Sequence, residues 1–109
     1  MDEGMDKDKA MTCARAYVRA VTKEFKPEQI WLFGSYANGV PDADSDIDVA
    51  VIFNELKDNW LNTYTRLSYL TLHASTYIEP HIFDRAAEPN GFIKEIFKTG
   101  TPLYTSANG

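Results

Sequence analysis

The sequence predicts an α/β domain, and three observations carry that prediction. Two short apolar runs, Ile30–Phe33 and Val49–Phe53, have the length and the β-branched and aromatic content of buried strands. A third stretch, Thr76–Phe83, alternates apolar and polar residues in the manner of a half-buried strand. Between and around these lie segments with helical apolar spacing, giving the order helix, strand, turn, strand, helix, strand, helix. Such an order packs helices against a small sheet, and 109 residues make a single domain over 1–109.

The first helix is expected from about Asp8 to Phe25. Ala10, Ala14, Tyr17, Val21 and Phe25 recur on one face, with Cys13 and Val18 beside them, while Thr12, Arg15, Arg19 and Lys23 form a polar stripe. Pro27 disfavours helix at Lys26 and ends it. The strand Ile30–Phe33 stops at Gly34-Ser35, where glycine permits close backbone approach. A helical turn over Ser35–Asn38 would aim N–H groups outward as a small anion site. Val40–Ser45 reads as loop from its proline and acids. Asp46-Ile47-Asp48 then opens the second strand. Alternation places Asp46 and Asp48 on one side, with Cα atoms roughly 6.5 Å apart.

After that strand Asn54 is a candidate cap for a helix whose apolar positions include Leu56, Trp60, Tyr64, Leu67 and Leu70, with the aromatic residues read as core. In the third strand Ile78, Pro80 and Ile82 share one face; Tyr77, Glu79, His81 and Phe83 share the other. Pro80 points to an edge or a bulge. His81 lies on the face of Glu79 and is read as structural, outside the site. Pro89-Asn90-Gly91 forms a turn, Phe92–Phe97 a short helix stopped by Gly100, and Thr101–Tyr104 a last extended segment. Disordered ends are expected near residues 1–6 and 105–109.

Paired carboxylates beside a phosphate-compatible turn suit a hard divalent cation, since magnesium prefers oxygen ligands and bridges carboxylates to substrate phosphates. Two other motifs fail. The alternating acids Asp42, Asp44, Asp46 and Asp48 start like a calcium loop, but Ile47 stands at its glycine position and Phe53 at its final glutamate. Gly34 and Gly39 have the spacing of a phosphate-binding Walker loop, but Val40 replaces its lysine.

The combination of Gly34-Ser35, ten intervening residues, and Asp46-Ile47-Asp48 leading into a β-branched strand resembles the signature of nucleotidyltransferases of the DNA polymerase β-like superfamily. The short chain is similar to the minimal nucleotidyltransferase domains of that group. The resemblance implies a small mixed β-sheet flanked by helices, the palm-type nucleotidyltransferase fold, a topology that the pattern alone leaves open. It implies that a hydroxyl attacks the α-phosphate of ATP or another nucleoside triphosphate and that pyrophosphate leaves. Asp46 and Asp48 would hold two Mg2+ ions. Glu79 matches the third carboxylate, commonly an Asp, and would serve as metal ligand and proton acceptor. Gly34 and Ser35 would contact the terminal phosphates. Many relatives carry a cation in this turn where Tyr36 and Asn38 stand here, which implies weak nucleotide affinity or a helper surface from a partner.

Such minimal domains are often encoded beside a helical HEPN ribonuclease as a toxin–antitoxin pair. By resemblance this chain would be the antitoxin, moving AMP from ATP to a tyrosine of the toxin. Two alternatives stand beside it: a non-catalytic subunit that neutralises its partner by occlusion, and a small-molecule transferase of the aminoglycoside type that needs a partner subunit.

Bulk properties restrict partners further. The net charge is −5 with no basic cluster, which argues against gripping a nucleic acid directly. Cys13, the one cysteine, falls among apolar residues and reads as a buried structural thiol. No apolar stretch is long enough for a signal or membrane span, so a cytoplasmic protein is expected, with a homo-oligomer open.

Overall fold

A computed structural model describes residues 6–38, 46–87 and 91–106. Helix α1 (Lys7–Glu24) leads to strand β1 (Gln29–Phe33), the one-turn helix α2 (Ser35–Asn38) and strand β2 (Ile47–Phe53). Helix α3 (Trp60–Leu70), strand β3 (Ile78–Asp84), helix α4 (Phe92–Thr99) and strand β4 (Thr101–Thr105) complete the chain. The four strands form one sheet in the order β3-β2-β1-β4. β1 runs antiparallel to β2 and β4, while β2 and β3 are parallel, so the sheet is mixed. A parallel neighbour requires a crossover, and α3 supplies it.

Local chemistry accounts for the element ends. The Asp6 carboxylate accepts from the Lys9 N–H at 2.8 Å and caps α1. Phe25 turns extended before the buried Pro27, and its N–H closes on Val21 O. Gly100 ends α4 as expected, its N–H bonding Ile96 O at 2.7 Å. β3 carries Pro80 at the sheet edge, where a missing donor leaves no ladder bond unmade. Asp6 and Thr105, placed by the sequence reading in disordered ends, are structured: Asp6 is a cap and Thr105 pairs with Gln29. The loop expected over 40–45 and the turn residues 89–90 lie outside the described residues.

The cap of α3 falls at Asn59 and not at Asn54. The Asn59 side chain accepts from Asn62 N–H at 2.8 Å, and residues 54–58 carry the chain from the end of β2 to the helix layer. The inward face of α3 is therefore Thr63, Leu67 and Leu70. Trp60 and Tyr64 flank that face: Trp60 is 53% exposed and its ring stacks on Tyr64 at 4.9 Å, which corrects the core reading of these aromatics.

β2 is buried on both faces. Ile47, Val49, Val51 and Phe53 join Ile30, Leu32, Ala14, Tyr17, Val21, Leu67 and Leu70 in the main core beneath α1 and α3. Ala50 and Ile52, on the opposite face, pack with Ile93 and Ile96 of α4. That arrangement explains the unbroken apolar run after Asp48. Two polar contacts tie α1 to α3. The buried Tyr17 hydroxyl donates to Leu67 O at 2.7 Å, and Glu24 forms a two-point ion pair with Arg66, whose Nε donates to Oε2 at 2.7 Å. Burial, reinforced by Tyr64, raises the Tyr17 phenol above its ordinary range. The hydrogen bond to Arg66 lowers Glu24. No helix among the described residues is long and apolar enough to cross a membrane.

Candidate active site

The site grows from the point where β1 ends. Phe33 is the last residue of β1 and pairs with Asp48, the second residue of β2. Gly34 follows with φ +78°, a backbone region that side chains rarely tolerate, and turns the chain into α2. A Cβ on Gly34 would lie 2.4 Å from Asp48 Oδ2. The glycine is thus required twice, for its dihedral and for the carboxylate pressed against it.

Ser35 begins α2, and the Ala37 N–H closes that turn on Gly34 O at 3.1 Å. Tyr36 points the other way and is completely buried in the main core. Its burial anchors the turn to the core.

Parallel register sets Glu79 of β3 opposite Asp48, and His81 opposite Ala50. Period-two alternation then brings Asp48, Glu79 and His81 to the α4 face of the sheet. One ligand atom from each lies within 4.8 Å of the others. The side chain of Asp48 is 24% exposed and that of His81 34%, while Glu79 faces solvent. His81 Nε2 lies 3.0 Å from Asp48 Oδ1. Phe33 meets the imidazole edge-on at 4.9 Å and fixes its plane, and Phe92 packs behind Phe33 at 6.1 Å. Two carboxylates at this spacing repel, by about 1 kcal/mol in water and about 4 at a protein surface, and a divalent cation between them relieves that repulsion.

Asp46 stands outside this trio. It precedes the first residue of β2, is exposed, and lines a cleft of about 290 Å3 with Tyr64, Ser68, Tyr77 and Glu79. Glu79 therefore belongs to both the trio and the cleft. Of the residues expected from sequence, Gly34, Asp48 and Glu79 converge, Ser35 follows Gly34 at the start of α2, and Asp46 shares a cleft with Glu79. His81, read as structural from sequence, sits inside the cluster. Its parity with Glu79 carried the signal.

A glycine turn against a strand-borne carboxylate, with a second carboxylate on the parallel neighbour, is a frame for holding a metal-bound phosphate. The family model described as polymerase beta, nucleotidyltransferase, matches residues 18–108. The chain belongs to this nucleotidyltransferase family.

Solved nucleotidyltransferase-fold structures agree at the level of fold. A proposed nucleotidyltransferase from Sulfolobus solfataricus superposes with a TM-score of 0.68 at 19% identity, covering 94% of this chain and 86% of that one. A toxin–antitoxin structure with AMP-PNP gives 0.63 at 20% identity, covering 94% and 75%. A variant of the MntA–HpeT toxin–antitoxin pair gives 0.58 at 20% identity, covering 84% and 72%. No curated protein matches the chain significantly in sequence. Nucleotidyltransferases of this family typically use a divalent metal, and the donor set here fits one: two carboxylates and an imidazole offer ligand atoms within 4.8 Å of one another.

Proposed function

We propose that the protein is a Mg2+-dependent nucleotidyltransferase that moves AMP from ATP onto a hydroxyl of a partner protein, a tyrosine of a HEPN-type helical toxin, and so acts as its antitoxin. The observation that carries the transferase reading is the apposition of the Gly34 turn to Asp48, with Glu79 in register beside it. The likeness to chains from toxin–antitoxin pairs, one of them solved with AMP-PNP, supports the choice of nucleotide and partner.

In this reading Asp46, Asp48 and Glu79 hold the metal, and Gly34 and Ser35 orient the terminal phosphates through backbone N–H and hydroxyl. Divalent ions at such sites neutralise charge on attacking and leaving oxygens. The acceptor oxygen forms a bond to the α-phosphorus, the bond to the bridging oxygen breaks, and pyrophosphate leaves. Glu79, the exposed carboxylate next to the cleft, takes the acceptor's proton.

Occlusion without chemistry is a second reading, favoured by the apolar residues that α3 and the segment after it leave uncovered: Trp60, Leu61, Tyr69 and Leu72 are all more than half exposed. The two separate cleanly. With Mg2+, ATP labelled at the α-phosphate and a lysate of the source cells, transfer predicts label on one protein band that Asp48→Asn abolishes. Occlusion predicts no label and partner neutralisation that survives Asp48→Asn. Label on a small product would instead favour a small-molecule acceptor.

A further inference from the structure

We propose that His81 is itself a metal ligand, so that this site is a mixed nitrogen–oxygen centre that takes Mn2+ in preference to Mg2+. The inference rests on reading the Asp48–Glu79 cluster as the metal site of a nucleotidyltransferase, and it concerns a residue that the carboxylate chemistry above leaves without a role.

The geometry is that of ligands around an ion. Adjacent donors of an octahedral ion, each at about 2.1–2.2 Å and at right angles, are about 3.0 Å apart. His81 Nε2 and Asp48 Oδ1 are separated by 3.0 Å, a direct hydrogen-bond distance that two neighbouring ligands of one ion also share. A Glu79 oxygen completes a set whose members all lie within 4.8 Å, close to the span of opposite corners of such an octahedron, and its exposed side chain has room to close the remaining gap.

The surroundings hold the imidazole for this task. His81 lies opposite Ala50 in the parallel register, and the small Ala50 side chain lets the ring lean across β2 toward Asp48. Phe33 packs on the ring at 70° and restricts its tilt. Nε2 is thereby directed at the Asp48 carboxylate, which lies against Gly34, so the nitrogen and the carboxylate oxygen present themselves to one point.

Donor type then sets the preference. Mg2+ takes oxygen and keeps much of its water. Mn2+ is the weakest binder of the first-row series but is softer than Mg2+, so of these two oxygen-site ions it loses less by taking an imidazole. Nitrogen in the shell therefore favours Mn2+, and removing it should equalise the two ions.

The test uses the full chain without nucleotide, titrated with Mn2+ and followed by electron paramagnetic resonance, with pulsed measurement of nitrogen coupling and Mg2+ as competitor. Bound Mn2+ in the wild type should show the 14N coupling of one directly bound imidazole. His81→Gln should abolish that coupling, weaken Mn2+ by about tenfold or more and change Mg2+ by less than about threefold. The inference is overturned if wild-type Mn2+ shows no nitrogen coupling, if His81→Gln weakens both ions equally, or if Mn2+ does not bind. The wild-type spectrum needs no variant to fold. Asp48-dependent transfer seen alongside uncoupled Mn2+ would sink this inference and leave the transferase reading standing.

Discussion

The two faces of β2 solve opposite problems with alternate residues of one strand. Ile47, Val49 and Val51 face a layer made by both α1 and α3 and are completely buried. Asp48, Ala50 and Ile52 face the other way, where among the described residues α4 is the helix that provides cover. Ile93 and Ile96 of that eight-residue helix reach Ala50 and Ile52, and Asp48 at the start of the strand keeps access to solvent. A thick layer makes stability and a short one leaves an opening. The proposed chemistry lies where that cover runs out.

That division can be broken from either side. The largest effect is expected from Asp48→Asn, which on the proposed reading removes a metal-holding charge worth several kcal/mol in the transition state. Nucleotidyl transfer should fall by about a thousandfold while thermal melting moves by only a few degrees. Initial-rate assays and circular dichroism check the two halves. Leu67→Ala attacks the opposite face. It should cost about 2–5 kcal/mol of unfolding free energy in urea, with the rate per folded molecule unchanged. Gly34→Ala is the one change expected to damage both, since it forces a positive φ and meets Asp48 Oδ2. A loss of about 1–3 kcal/mol together with loss of transfer is expected.

Smaller effects refine the dry face. Tyr17→Phe deletes the hydroxyl bond to Leu67 O and should cost about 1 kcal/mol. Because burial raises the Tyr17 pKa, the unfolded chain ionises first as pH rises through 10; stability attached to the neutral phenol is present below that pH and is lost above it. Tyr17→Phe should flatten this alkaline limb in melting curves. The least effect belongs to Glu24→Gln. Arg66 depresses the Glu24 pKa, so its contribution is present above the ordinary carboxylate range and fades as pH falls through the lowered value. The variant should remove that acid-side slope, and salt should diminish the difference.

Much of this was legible in the residues. Period-two alternation put Asp48, Glu79 and His81 on defined faces. Gly34 was legible as a place where backbone can near a ligand, but not as the neighbour of the Asp48 carboxylate. Pairing was not legible, because alternation fixes a face but not a neighbour. Only the parallel offset of β3 against β2 sets Glu79 beside Asp48 and lets His81 lean onto it. The start of α3 was missed for a related reason. Asn54 and Asn59 are equally good caps in isolation, and the distance from the sheet end to the helix layer selects Asn59. With that start the inward face includes Thr63, and Trp60 and Tyr64 move to its flank.

The decisive measurement is transfer of α-phosphate label from ATP to protein by the wild type, Asp48→Asn and Leu67→Ala, normalised to folded protein in each case. Equal specific transfer by the wild type and Leu67→Ala, with none by Asp48→Asn, is the expected result. Transfer that persists in Asp48→Asn, or that falls in Leu67→Ala after normalisation, would contradict the assignment of chemistry to the thinly covered face of β2.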